Sequence, residues 1–396
     1  MRVACVGGGP AGLYFAILLG RDGGHEITVL ERNPPGVTYG WGVVFWDDLL
    51  DELRAGDPET AGEISTNAFR WDGQLLAVEG REPVHVPGHG YGIGRRRLLE
   101  ILAARGRRLG VDIRFEREVR DLSELAGADL IVACDGAGSR LRQQRRDQFE
   151  TAVGVGRNKY IWLGTRKVFD AFTFAFVETE AGWIWCHAYG FDRNTSTFIV
   201  ECSPETWAGL GFDRLGEADT IAVLERLFAS WLEGHRLKGT SHANDGAAWL
   251  NFRTLTNERW HHENLVLMGD AAHTTHFTTG SGTKLALEDA LGLAAKLREG
   301  TELQSALEGY GRERRSALVP AQTDARFSAQ WFENVPRYVG LAPERFFALL
   351  RERRSPLLPR VPPPAYYRLH QATHNVAALR RLRRWVAPRV KAHYGH

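Results

Sequence analysis

Gly7, Gly9 and Gly12, within Gly7-Gly8-Gly9-Pro10-Ala11-Gly12, stand at G-x-G-x-x-G spacing. A short β-type run, residues 2–6, precedes them, and a mixed apolar segment of helical character, residues 13–19, follows. A second β-type run, Glu26–Leu30, ends in Glu31-Arg32, with Glu31 19 residues beyond Gly12. Strand, glycine turn, helix, strand and acid in this order form a unit that binds a dinucleotide. Gly7 permits the tight turn, Gly9 lets a pyrophosphate approach the backbone, and Gly12 lets the helix pack close to the strand. The helix N-terminus offers free N–H groups and partial positive charge to phosphates. Glu31 is placed to accept hydrogen bonds from a ribose diol, with Arg32 beside it. The unit alone suits FAD or NAD; the Gly-Pro-Ala-Gly run leans towards FAD.

Two later segments could serve the same ligand. Residues 130–134 are a buried strand pattern running into Asp135-Gly136, with Ser139 and Arg142 at D-G-x-x-S-x-x-R spacing. Residues 265–268 are a second one, delivering Gly269-Asp270, whose acid can bond a ribityl or ribose hydroxyl. Ten residues on, Gly280-Ser281-Gly282-Thr283 opens an amphipathic helix over 284–299. A glycine turn at a helix start suits an anionic group, such as the charged edge of a reduced flavin. Each segment read in isolation is also a plain strand-to-helix connection.

Together, the three patterns resemble the FAD-dependent aromatic hydroxylases of the p-hydroxybenzoate hydroxylase fold, the class A flavin monooxygenases. The resemblance covers essentially the whole chain. It implies an α/β fold: a Rossmann-like FAD-binding domain, an interleaved β-sheet substrate domain and a helical C-terminal tail. It adds Arg95, in Ile93-x-Arg95-x-x-Leu98-x-x-x-Leu102, as a residue that approaches FAD. The chain departs from the family at Phe277, where Pro is usual, and at Lys284, where Asn is usual.

Narrower stretches are similar to the salicylyl-CoA 5-hydroxylases and the monooxygenase half of the anthraniloyl-CoA enzymes. They are Tyr39 to Phe45, Gly156 to Thr165, Phe198-Ile199-Val200-Glu201-Cys202 and His273 to Phe277. The reductase barrel of the anthraniloyl-CoA enzymes is not expected, because the chain is too short to hold it. The violacein-pathway tryptophan hydroxylase shares the Gly-Arg-Asn-Lys-Tyr-Ile-Trp run. The resemblance implies FAD as cofactor, NADH or NADPH as electron donor and O2 as co-substrate. Oxygen enters an electron-rich ring through a flavin C4a-hydroperoxide. The substrate it implies is salicylyl-CoA, hydroxylated at C5, or a related 2-substituted benzoyl-CoA. The rival substrate is a free aromatic or indole compound. A rival of another class is a flavin-binding protein that shields an intermediate without oxygen chemistry. Flavin halogenases are set aside, because Cys186-His187-Ala188 follows Trp183-Ile184-Trp185 and no Lys precedes Lys159.

Oxygen transfer of this kind needs a dry pocket. Trp41, Tyr160, Trp162, Trp185 and Phe277 are the expected aromatic walls. His276, between the Gly-Asp strand end and the glycine loop, is the expected catalytic group, able to accept a phenol proton as a neutral imidazole.

These residues require a scaffold of more than one small core, which 396 residues supply. Residues 1–72, 95–150 and 264–320 are expected to form the FAD-binding domain. Residues 73–94 and 151–263 form the substrate domain, with strands near 160–165, 173–177, 183–187 and 195–200 and a helix over 218–233. Residues 321–396 form a helical segment broken at Pro343 and at 362–364. Lys plus Arg (50) nearly balances Asp plus Glu (48), which gives no case for a nucleic-acid partner. Arg-rich spots at 105–108, 312–315, 351–354 and 380–384 are solvated helix faces or contacts for CoA phosphates. The four cysteines form no C-x-x-C pair, so no metal or redox site is expected. No apolar run approaches the roughly 18 residues of a membrane span, and a reducing, cytoplasmic setting is expected. Oligomeric state is open.

Overall fold

In the computed structural model, which describes residues 1–239 and 248–375, both β-type runs of the dinucleotide motif become parallel neighbours. Arg2–Val6 lies between Glu26–Leu30 and Leu130–Ala133 in a six-stranded sheet completed by His261–His262, Leu265–Leu267 and Asp112–Arg114. All pairings are parallel except that of His261–His262 with Leu265–Leu267. Parallel strands buried on both faces read as continuous apolar runs, which is how these segments look in sequence. The helix Pro10–Asp22 buries Ala11 through Leu19 against the sheet, and Gly282–Arg298 packs beside it.

The second sheet has nine strands among the described residues. Thr151–Thr165, Thr195–Cys202, Gly182–Asp192 and Phe172–Thr179 pair antiparallel in its centre. Phe69–Val78 then pairs parallel with Phe172–Thr179, followed by Val84–Gly94 and Gly42–Phe45. The expected excursion at 73–94 is therefore wider: the hairpin begins at Phe69, and Gly42–Phe45 joins the same sheet.

Period-two alternation gives this sheet two different faces. Ile161, Leu163, Ala175, Ile184, Cys186, Phe198 and Val200 face one way and pack on Leu224, Phe228 and Leu232 of the helical layer. Phe174, Phe176 and Trp185 face the other way and meet Trp331, Phe332, Phe346 and Phe347 from the C-terminal helices.

Those helices differ from expectation at one proline. Leu303–Phe332 is a 30-residue helix with Pro320 inside it, so the boundary expected at 320 falls within an element. The helical tail is interrupted just before Pro343 and Pro363, as expected, and each proline begins the next helix, Pro343–Arg351 and Pro363–Asn375. Proline suits the first helical turn, where its missing N–H is not needed. All four cysteines are buried and free, and burial pushes the Cys5 thiol up to about 12. Among the described residues no helix is long and apolar enough to cross a membrane.

Candidate active site

One cavity of about 1040 Å³ runs between the two sheets. At one end its wall is the first glycine turn with Glu31, Arg32, Arg95, Asp135 and the residues after Asp135. Gly7 has φ of +116°, and a Cβ there would overlap the carbonyl oxygen of Cys134. A Cβ on Gly12 would overlap Gly7 and the Cys134 sulfur. Gly9 is different: a Cβ there meets no protein atom within 4 Å, because that position faces the cavity. Gly7 and Gly12 therefore answer to packing, and Gly9 to whatever fills the cavity.

Glu31 holds this end together. Its Oε2 accepts from the Gly8 amide at 2.7 Å, and its Oε1 from the Asn33 backbone and side-chain nitrogens, both at 2.8 Å. Asp135 Oδ2 accepts from the Arg140 amide at 3.0 Å. Its Oδ1 is buried without a protein partner, and burial raises this carboxyl above the ordinary carboxylate range. The half-buried Arg95 lines the cavity, and no protein group among the described residues pairs with its guanidinium.

The middle of the cavity is walled by Asp270, Gly280, Gly282 and Thr283. Asp270 lines the cavity with its side chain exposed to it; the surrounding protein raises its carboxyl by desolvation, and the Arg95 charge opposes the rise. Gly280 has φ of +66° and closes a turn into the helix Gly282–Arg298. Ser139 and Arg142 act structurally. The buried Arg142 donates to the carbonyls of Ala137 (2.6 Å) and Ala271 (2.9 Å), tying the Asp135 turn to the Asp270 turn. Asp289 anchors the Asp270 turn from behind, accepting from the Gly269 amide (3.0 Å) and pairing with His273 (2.7 Å) and Arg314 (2.9 Å). Lys284 turns away from the cavity and pairs with Asp48, Glu52 and Glu288.

At the far end the wall includes Tyr160, Trp162, His187, Phe252 and Phe277, with the Tyr160 and Phe277 rings 4.8 Å apart. Three expected site residues are not on it. Trp41 packs its indole over Gly164, where a Cβ would overlap the ring. Trp185 is fully buried, stacked on Phe176 and Phe332 at 6.0 Å. His276 lies behind Phe277, with its ring 4.5 Å away and Nδ1 bonded to the Thr278 hydroxyl at 3.0 Å. Burial drives that imidazole down to about 4, so it is neutral near pH 7. The histidine on the wall is His187, whose Nε2 pairs with Glu201 at 3.1 Å. This pair is missed among the residues expected from the sequence, though two signals there could have found it. His187 follows Trp183 and Trp185 at strand alternation, and Glu201 interrupts an otherwise apolar run.

Most Arg-rich spots are already engaged. Arg105 pairs with Asp57 and Glu59, and Arg314 with Glu288 and Asp289. Arg353 donates to Ser328 and to the carbonyls of Leu350 and Thr278. Residues 380–384 lie outside the described residues. Arg107 is on the cavity wall over Phe115. Arg253 is exposed on the wall and forms no ion pair among the described residues.

Residues 1–323 match the family model for an FAD binding domain. The salicyloyl-CoA 5-hydroxylase of a Streptomyces species is 42% identical over 350 residues, which is 86% of this chain and 66% of that protein, just under two thirds of its length. The 3-hydroxy-4-methyl-anthranilyl-[aryl-carrier protein] 5-monooxygenase of Streptosporangium sibiricum is 37% identical over 338 residues, 85% of this chain and 90% of that one. Among solved structures, the tetrameric form of 2-methyl-3-hydroxypyridine-5-carboxylic acid oxygenase superposes with a TM-score of 0.68 at 20% identity. The match covers 87% of this chain and 95% of that one, and it establishes a shared fold.

Proposed function

We infer the activity of this chain from one premise: it belongs to the FAD binding domain family, and it is an FAD-dependent aromatic monooxygenase. We propose that it hydroxylates a 2-hydroxy- or 2-aminobenzoyl thioester, salicyloyl-CoA at C5 first among them, with NADH or NADPH as electron donor. The observation that carries this reading is the continuity of the cavity from the dinucleotide glycines to the aromatic end.

The residues present fit FAD. Gly9 leaves space, Arg95 has a free guanidinium, and Asp135 Oδ1 is a buried acceptor without a partner. Bound FAD, once reduced, supplies an oxygen atom from O2. The protein's part is to hold the ring and keep water away, which the walls formed by Tyr160, Trp162 and Phe277 favour. C5 of a salicyloyl ring is para to the hydroxyl, whose lone pair feeds the attacked carbon.

The thioester is supported by the rim. Tyr39, Val155 and Leu250 line the cavity and are 47%, 66% and 50% exposed, an apolar track for a pantetheine arm. Arg253 stands beside them as a cation for a phosphate.

The test is product formation with NADH and NADPH from salicyloyl-CoA, salicylate, anthraniloyl-CoA and tryptophan side by side. Turnover of a thioester is expected, with binding that weakens as salt rises. Turnover of salicylate or tryptophan and of neither thioester would overturn the substrate assignment. Separately, Asp270→Ala removes the acid from the middle of the wall. A lost hydrogen bond to a charged group costs about 1.5–3 kcal/mol, so FAD affinity is expected to fall by ten-fold or more. The ratio of flavin to protein absorbance after gel filtration checks this; a ratio equal to wild type would remove Asp270 from the FAD contacts.

A further inference from the structure

We propose that His187, oriented by Glu201, is the base that takes the proton of the substrate's ring hydroxyl; this rests on the ring-hydroxylase reading above. The strand register brings the pair together. Tyr160, Glu201 and Trp185 form one cross-strand row, and Trp162, Ile199, His187 and Phe174 form the next. Both rows share the face that looks towards the cavity and the C-terminal helices.

Glu201 is 1% exposed. An isolated buried carboxylate costs several kcal/mol, so its partners must hold it. Asn158 donates to Oε1 at 2.8 Å, and the Trp185 indole N–H to Oε2 at 3.1 Å. Oε2 also pairs with His187 Nε2 at 3.1 Å. Burial alone would raise this carboxyl, but the His187 contact and the Asn158 hydrogen bond outweigh it. A carboxylate only accepts, so the proton of a neutral His187 sits on Nε2 and Nδ1 is the acceptor. No protein group among the described residues bonds Nδ1, and His187 lines the cavity, so Nδ1 is left for a group inside it.

The surroundings are otherwise aromatic. Phe332, Phe174 and Phe277 lie 4.8, 5.3 and 5.6 Å from the His187 ring. A box that needed only packing would hold a fourth apolar side chain. An imidazole held from behind by a carboxylate, with its other nitrogen free, is the arrangement of an oriented base. The titratable groups facing His187 are Glu201, Tyr160 and His276, with Arg353 one ring further off, over Phe174.

In the step, the hydroxyl O–H bond breaks and its proton moves to Nδ1, while the ring's electron pair forms the new C–O bond to the transferred oxygen. The O–O bond of the O2-derived donor breaks, and its electron pair leaves on the second oxygen, which is protonated and released as water. Glu201 steadies the imidazolium. The attacked carbon then loses its hydrogen to water, the imidazolium returns its proton to the first oxygen, and the ring is aromatic again.

His187→Gln keeps a polar side chain of similar size but cannot take the proton. With salicyloyl-CoA, kcat is expected to fall about 100-fold while FAD content stays at the wild-type level. The phenolate absorbance that develops when wild type binds salicyloyl-CoA should be missing. With 2-aminobenzoyl-CoA, whose neutral amine needs no deprotonation to donate, kcat should change by less than about threefold. Glu201 is a positioning residue: Glu201→Gln should lower the plateau of kcat and move the acid limb of its pH profile to lower pH, since the imidazolium loses its counter-ion. Equal losses with both esters, or an unmoved acid limb, would make the pair structural and overturn the assignment. Unchanged rates in active enzyme would do the same. A wild type that converts neither ester overturns the substrate reading and this proposal with it. If His187→Gln fails to retain FAD, the wild-type spectrum decides: absence of a phenolate band on binding overturns the base.

Discussion

Gly7→Ala is expected to unfold at clearly lower denaturant and to keep little FAD, whereas Gly9→Ala keeps its stability and loses FAD alone. The two glycines are two residues apart and fail for different reasons. At Gly7 the backbone has φ of +116°, where a side chain costs about 1–3 kcal/mol. The added methyl also overlaps the Cys134 carbonyl, and overpacking costs about 1–3 kcal/mol more. Backbone cannot turn aside as a flexible side chain would. A loss of about 3 kcal/mol or more follows, on a total stability of only about 5–15 kcal/mol. Gly9 has an ordinary extended conformation, with φ of −76° and ψ of 178°, and open space beyond it. Its methyl meets only the ligand, so FAD affinity should drop by about tenfold or more with no shift in the unfolding midpoint of FAD-free protein. Bound ligand stabilises the native state by mass action, so the midpoints are compared without FAD. If both variants lost stability equally, the open face at Gly9 would be wrong.

Asp289→Ala is expected to have an effect of the same order from the opposite side of the site. Asp289 is completely buried and binds His273, Arg314 and the Gly269 amide. Removing one member leaves Arg314, itself mostly buried, without this partner. Breaking a buried pair in this way costs about 3–5 kcal/mol, and the Asp270 turn loses its anchor, so FAD should leave as well. Asp289→Asn keeps some of the hydrogen bonds and should cost less. The pH dependence has a definite sign. Burial alone would raise the Asp289 carboxyl, but His273 and Arg314 together hold it below the ordinary value of 3.8. A depressed acid contributes its stability above the unfolded pKa and loses it as pH falls through the folded one. The gap between wild type and Asp289→Asn in urea unfolding should therefore be constant near neutrality and shrink below about pH 4. A gap that widened on acidification would contradict the ion-pair account.

The half of the site built from the glycine turns was legible in the sequence because it is local. Six consecutive residues, 7 to 12, fix a turn whose shape depends on backbone freedom and not on distant partners. The strands before Asp135 and Asp270 were legible for a related reason: parallel strands covered on both faces must be apolar throughout. Glu31, Arg32, Arg95, Asp135, Asp270, Gly280, Gly282 and Thr283 accordingly all reach the cavity.

The far half depended on tertiary structure. Alternation puts Trp185 and His187 on the same face of one strand, and that much follows from spacing alone. Which stretch of the face stays open does not. The helices Leu303–Phe332 and Pro343–Arg351 cover it fully at Trp185, through Phe332 and Phe346, whereas His187, although Phe332 packs on it as well, still borders the cavity. Trp41 was lost from the wall because Gly164, far away in sequence, left room for its indole. His276 and Phe277 are adjacent in a loop, where no periodicity says which side chain turns inward; Phe277 takes the wall and His276 the interior. The sequence by itself determined a dinucleotide cradle, since its geometry is written in neighbouring residues. The identity of the polar group facing the substrate was decided only when strand register and a distant helix pair chose which side chains to cover.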